Sequence, residues 1–175
     1  MLHEIILAEL DRAGFSVKSY TLRENNIAAC MGCFDCWVKT PGVCVINDVA
    51  SEIAKDVVQS EVLVKLTPIV FGGYSSDLKK ALDRSIPILL PFFREINGEI
   101  HHRARYKHYP KLLVVGYLQR PNPEYERLFR FLVQRNAINM HNDQTHSEIF
   151  YEEQVDEAAI RQELAASVSE LRNAS

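Results

Sequence analysis

The sequence has no long apolar run. Its longest, Ile86 to Phe93, is interrupted by Pro87 and Pro91 and falls far short of the roughly 20 residues a membrane-crossing helix needs. It opens Met-Leu-His-Glu-Ile-Ile, without the basic stretch and apolar core of an export leader, so a cytoplasmic protein with reduced thiols is expected. Positive charge is not in excess: 20 Lys and Arg stand against 23 Asp and Glu, a net −3. That balance gives no electrostatic case for a nucleic-acid partner or an anionic membrane. Repeats, low-complexity tracts and linkers are lacking too, and 175 residues fit one domain spanning 1–175 with a substantial core. Outside one short stretch, the chain also lacks cysteine.

That stretch is Cys30-Met-Gly-Cys33-Phe-Asp-Cys36 followed by Cys44, spaced C-x2-C-x2-C-x7-C within a loop at about 28–48. Scattered core cysteines would not cluster in this way. Repeated C-x2-C spacing lets an irregular loop turn successive sulfurs toward one point, as in iron–sulfur ligation. Gly32 supplies a residue free to take positive φ, and Pro41-Gly42 can turn the chain so that Cys44 returns as a fourth ligand. Three alternatives stay open: small buried side chains with no metal, structural zinc, which more often draws on two separated C-x2-C pairs, and disulfides, disfavoured in a reducing compartment.

The pattern along the chain alternates. Leu2 to Ala13 places Leu2, Ile5, Ile6, Leu10 and Ala13 on one helical stripe, with Gly14 as its stop. Phe15 to Leu22 alternates polar and apolar and predicts a strand. Asp48 or Ser51 caps a helix through about Gln59, and Glu61 to Val70 predicts a strand buried on both faces and ended by Pro68. A loop at Phe71-Gly72-Gly73-Tyr74 precedes a helix capped by Ser75 or Ser76. From Pro87 to Pro110 the pattern is irregular and basic, and it is read as a solvated loop carrying the exposed pair His101-His102. Lys111 to Leu118 predicts another buried strand, Tyr125 to Val133 a helical stripe, Asn139 to Tyr151 a strand, and Val155 to Leu171 a last helix. Such alternation argues for an α/β fold with a parallel sheet between helices. Its ligands would bind at the carboxyl ends of the strands, where the cysteine loop, the Thr67–Tyr74 loop and the Gly116–Asn122 loop meet. Amides freed by Gly72 and Gly73 between Phe71 and Tyr74 suit a flat aromatic ligand. An ordinary strand-to-helix turn is the alternative.

The four cysteines with Pro41-Gly42 and Asn47-Asp48, together with Thr67-Pro-Ile-Val-Phe-Gly-Gly-Tyr-Ser-Ser-Asp-Leu-Lys79 and Asp83-Arg84, resemble the iron–sulfur flavoprotein branch of the NAD(P)H-dependent FMN reductases. The resemblance runs from the first helix to the last strand. It implies a three-layer flavodoxin-like sandwich with a mostly parallel sheet, bound FMN and a homo-oligomer. By position, Pro68, Ile69, Phe71, Gly72, Gly73 and Tyr74 would line the isoalloxazine, with Gly116 and Tyr117 on its other side. Cys30, Cys33, Cys36 and Cys44 would hold a 4Fe–4S cluster, although the family includes members with similar cysteines and no cluster. One departure stands out. The family opens with a strand and a loop that holds the FMN phosphate at a helix N-terminus, and this chain begins at that helix. The first strand is therefore missing; either coding sequence lies upstream or the sheet has closed up without it.

The expected function is an FMN-dependent oxidoreductase moving electrons from NAD(P)H or a carrier to a small-molecule or protein acceptor, by way of the cluster. The cofactors would supply the chemistry, and no side chain is assigned as acid or base. The alternatives are a non-catalytic electron carrier and a flavin-free remnant with a structural cysteine or zinc loop.

Overall fold

A computed structural model of the chain describes residues 1–173. In order, the elements are α1 (Leu2–Arg12), α2 (Asp35–Val38), α3 (Val49–Gln59), β1 (Val62–Pro68), α4 (Ser76–Asp83), β2 (Leu89–Ile96), β3 (Glu99–Ala104), β4 (Lys111–Leu118), α5 (Pro123–Asn139), β5 (Thr145–Tyr151) and α6 (Glu157–Asn173). The ends follow local chemistry. Gly14 takes φ +78 after α1, while the N–H groups of Gly14 and Phe15 return to the carbonyls of Asp11 and Leu10, a Schellman ending. Asp48, Ser75 and Asn122 cap α3, α4 and α5 through side-chain oxygens that accept from Ala50, Leu78 and Tyr125 N–H, as short polar caps do.

β1, β4 and β5 form one parallel sheet in that order. β4 is its centre, with Leu112 to Val115 all at 0% exposure. Alternation sends Leu113 and Val115 to one face, where they pack on Ile5 and Leu10 of α1 and Leu164 and Val168 of α6. Leu112 and Val114 pack on the other face against Leu78 of α4 and Phe129 and Val133 of α5. The result is the expected three-layer α/β sandwich, and β1-β4-β5 corresponds to the 3-4-5 part of the flavodoxin-like strand order 2-1-3-4-5. Among the described residues no helix is long and apolar enough to cross a membrane.

Three expectations are corrected. First, Phe15 to Leu22 forms no strand. In the 2-1-3-4-5 order the second strand pairs only with the first, and among the described residues no such strand stands beside the segment. Its side chains serve instead as a bridge between layers. The Arg172 guanidinium sits 4.8 Å over the Phe15 ring, Lys18 pairs with Glu52 and Asp56 of α3 at 2.7 and 2.6 Å, and Tyr20 donates to Asp56.

Second, the basic stretch after Pro87 is no solvated loop. β2 and β3 form an antiparallel hairpin closed by Asn97 and Gly98, both at positive φ, the dipeptide that two-residue hairpin turns favour. His101 is accordingly buried, its ring nitrogens 2.7 Å from Asn139 Oδ1 and 3.1 Å from Glu99 Oε2. His102 is part-buried, with Nδ1 2.8 Å from the Leu90 carbonyl.

Third, β1 is not enclosed on both faces along its length. It is an edge strand, half-buried at most positions. It nevertheless buries Lys65, and desolvation alone pushes that amine down to about 8.

Candidate cofactor site

The cysteine loop is shaped by backbone geometry. Gly32 and Phe34 both take positive φ, +65 and +60, and Phe34 then leads into the single helical turn α2, which carries Cys36. Pro41-Gly42 reverses the chain, with Gly42 at φ +92 and its N–H donating to the Cys36 carbonyl at 3.0 Å. The reversal brings Cys44 back toward Cys36. All four cysteines are free thiols: Cys30 and Cys33 exposed, Cys44 half-buried, Cys36 buried. Burial, followed by the nearby sulfurs of Cys44, Cys30 and Cys33, pushes the Cys36 thiol up.

The two stems of the loop are fastened together. Asp48 accepts from the Ala28 and Ala50 N–H groups, each at 3.0 Å, and pairs with the buried Arg84 at 2.7 Å. Burial opposes ionisation of Asp48, but Arg84 and the two N–H groups outweigh it and hold the carboxyl below its ordinary range. Asn47-Asp48 and Asp83-Arg84 carry part of the family resemblance, yet nothing in their spacing shows that they do this work. A second tie is Trp37, whose indole N–H donates to the Leu89 carbonyl at 2.9 Å.

The glycine-rich loop behaves differently from residue to residue. Pro68 ends β1, and the Ile69 N–H reaches the Tyr117 carbonyl at 2.9 Å, joining the ends of β1 and β4. Ile69 is buried and Phe71 is 82% exposed. Gly72 takes φ +78, and a Cβ there would meet Leu128 at 2.8 Å. Val70 and Gly73 exchange backbone bonds at 2.9 and 2.8 Å. Tyr74 lies edge-on to Phe129, with its hydroxyl 3.4 Å from Asn136 Nδ2. A Cβ at Gly116 would meet Ile69 and Phe129, both at 2.8 Å, so that glycine is explained by close packing between the sheet and α5.

A cleft of about 760 Å³ gathers Cys30, Cys33, Cys36 and Cys44 together with Gly73 and Tyr74. Its size is that of small-molecule sites. Of the residues assigned to the flavin, Gly73 and Tyr74 line it; Pro68, Ile69, Phe71, Gly72, Gly116 and Tyr117 do not. Trp37, Arg84 and His102 also line the cleft; Arg84 belongs to the Asp83-Arg84 pair of the resemblance, whereas no motif in the sequence points to Trp37 or His102. Among the described residues no three His, Cys, Asp or Glu side chains stand close enough to hold a metal ion. The donor set still suits a sulfur-ligated centre in kind and number.

These features define a flavodoxin-like sandwich with a cysteine loop at the strand ends. The profile of the NADPH-dependent FMN reductases matches residues 1–101, and the chain belongs to that family. An iron-sulfur flavoprotein of Methanocaldococcus jannaschii is 33% identical over 79 residues, 45% of this chain and 40% of that one. An iron-sulfur flavoprotein of Archaeoglobus fulgidus is 30% identical over 81 residues, 46% of this chain and 36% of that one. The matched region thus spans about two fifths of these relatives. Among solved structures, an NAD(P)H:quinone oxidoreductase from Methanothermobacter marburgensis superimposes with TM-score 0.64 at 11% identity, covering 98% of this chain and 86% of that one. An FMN-dependent NADH-azoreductase from Bacillus anthracis, in complex with FMN, gives 0.56 at 13%, covering 98% and 90%. At such identities the likeness is one of fold.

Proposed function

We propose that the chain is an FMN-dependent oxidoreductase unit that moves electrons between reduced nicotinamide, or an electron carrier, and an acceptor, with its cysteines holding an iron–sulfur centre. The carrying observation is the cleft that four cysteines share with Gly73 and Tyr74. Membership of the FMN reductase family and the likeness to two archaeal iron-sulfur flavoproteins support the same reading. FMN, when bound, supplies the exchange between paired and single electrons, and an adjacent sulfur-ligated centre suits single-electron transfer.

The chain's own residues bind and shape. Gly73 presents open backbone to the cleft: a Cβ there would meet only the Val70 carbonyl oxygen, at 3.5 Å. Tyr74 walls the same side, held by Phe129 and Asn136. Pro68, Ile69, Phe71, Gly72, Gly116 and Tyr117 complete the proposed flavin set as the support and rim of that wall. Cys30, Cys33, Cys36 and Cys44 are the proposed ligands of the centre. A cytoplasmic homo-oligomer belongs to the same proposal; Phe92, Phe93 and Ile100, exposed on the hairpin, supply apolar surface for self-association, which sedimentation tests.

The deciding experiment is the visible spectrum of protein purified without oxygen, before and after FMN addition, with iron and sulfide analysis. Flavin bands over a broad iron–sulfur shoulder, and NAD(P)H oxidation above the free-flavin background, are expected. Cys33→Ser should lose the shoulder and keep the flavin bands. A protein that stays colourless with FMN overturns the flavin assignment. Zinc without iron overturns the cluster, and FMN binding without turnover leaves an electron carrier in place of an enzyme.

A further inference from the structure

Arg84 is 1% exposed, and a guanidinium carries five N–H donors. Four are used. Nη1 donates to the Ala28 carbonyl at 3.0 Å and to Asp48 Oδ2 at 2.7 Å. Nη2 donates to the Ile46 carbonyl at 3.0 Å and to Asp48 Oδ1 at 2.9 Å. The fifth, on Nε, is buried without an acceptor. The one other such side-chain atom among the described residues, Asn142 Oδ1, is an acceptor. A buried donor left unmet costs about 1–3 kcal/mol, so its retention calls for a reason.

Two relationships supply one. Ala28 lies just before the first cysteine, and Ile46 and Asp48 lie just after the last, so a single planar group fastens both stems of the cysteine loop. The guanidinium also lies within interaction range of Cys44, and Arg84 and Cys44 line the same cleft. The unmet donor therefore belongs to a charged group set near the Cys44 sulfur.

We propose that Arg84 is a positioning residue of the cysteine-held centre: four N–H groups fix the loop's stems, and the Nε–H is kept for a sulfur of that centre. This rests on the reading that the cysteines hold an iron–sulfur centre. Hydrogen bonds to cluster sulfurs and nearby positive charge favour the reduced, more negative form and raise the potential. Lysine keeps the charge but not the fork or the Nε–H.

The test compares wild type, Arg84→Lys and Asp48→Asn, each loaded anaerobically with iron and sulfide, by iron content and EPR-monitored redox titration. Arg84→Lys is expected to bind iron and to show a tenfold lower ratio of reduced to oxidised centre at fixed potential, about 59 mV for one electron. Asp48→Asn, which loosens the latch and keeps the Nε–H, should hold the wild-type potential. In metal-free protein, alkylation of Cys44 should be several-fold faster in both variants. Full iron in Arg84→Lys with an unchanged potential overturns the donor role. Wild type that takes up no iron overturns the underlying reading, and iron content tells the two failures apart. If Arg84→Lys does not fold, wild type labelled with 15N-arginine still decides: a nitrogen hyperfine coupling to the reduced centre is expected, and its absence overturns the proposal.

Discussion

The indole of Trp37, inside the cysteine loop, lies 4.9 Å from the imidazole of His102 on β3, ring centre to ring centre. Phe34 stacks on Trp37 at 5.6 Å, and Phe93 lies tilted against His102 at 4.8 Å. Four rings thus run from the loop to the hairpin, and Phe34, Trp37 and His102 among them line the cleft. The Trp37–Leu89 hydrogen bond, 2.9 Å, adds a polar tie to the same seam.

Trp37 is the chain's one tryptophan, so its emission reports on this seam alone. Loading the cleft with FMN or with iron and sulfide should quench it strongly. Trp37→Phe keeps the stacking and loses the bond to Leu89, and should cost about 1 kcal/mol in urea unfolding. Unchanged stability would show that the seam rests on ring contact.

Asp48 should govern acid sensitivity. Its carboxyl is held below its ordinary value of 3.8, so the unfolded chain binds the proton first as pH falls. Its contribution is full above about pH 4 and is lost as pH drops through the folded value. Asp48→Ala, which strands Arg84, should cost about 3–5 kcal/mol at pH 7, and the gap to wild type should narrow below pH 4. Unfolding series at pH 3 to 7 measure both.

Lys65 acts in the opposite sense. Its amine titrates at about 8 in the folded chain against 10.5 ordinarily, so folding is penalised while the unfolded state holds the proton more tightly. A displacement of that size corresponds to ~3 kcal/mol at neutral pH. The penalty is full below pH 8 and fades as pH rises toward 10.5. Lys65→Met should be more stable than wild type at pH 7, with the advantage shrinking by pH 10. Equal stability at pH 7 would mean that the ammonium is solvated after all.

Gly116→Ala should destabilise by about 1–3 kcal/mol through overpacking, because its Cβ meets Ile69 and Phe129 at 2.8 Å. Ile69→Val in the same chain should recover part of the loss. If Gly116→Ala instead keeps full stability and weakens FMN binding, the glycine serves the ligand rather than the core.

The parallel sheet, the caps at Asp48 and Ser75 and the cysteine loop were legible because each is written in local pattern: unbroken apolar runs, a capping residue, a repeated spacing. The hairpin was legible too, in Asn97-Gly98, but the basic residues around it masked the signal. Phe15–Leu22 could not be resolved by pattern, since alternation records a preference and a strand also needs a neighbour. The Arg84 latch depends on residues 28, 46, 48 and 84 meeting in space, and no spacing in the sequence encodes that meeting. The cleft itself is legible only in part: its cysteine side follows from the motif, whereas His102 enters through the hairpin, and Trp37, though inside the cysteine loop, joins the wall only by its contact with that hairpin.

The edge position of β1 carries one more consequence. An edge strand offers its backbone to any other extended chain, and a charge turned inward is one of the ways such pairing is discouraged. Lys65 and the terminal Pro68 sit on that strand. The substitution that makes the single molecule more stable, Lys65→Met, should therefore leave it more prone to precipitate at high concentration.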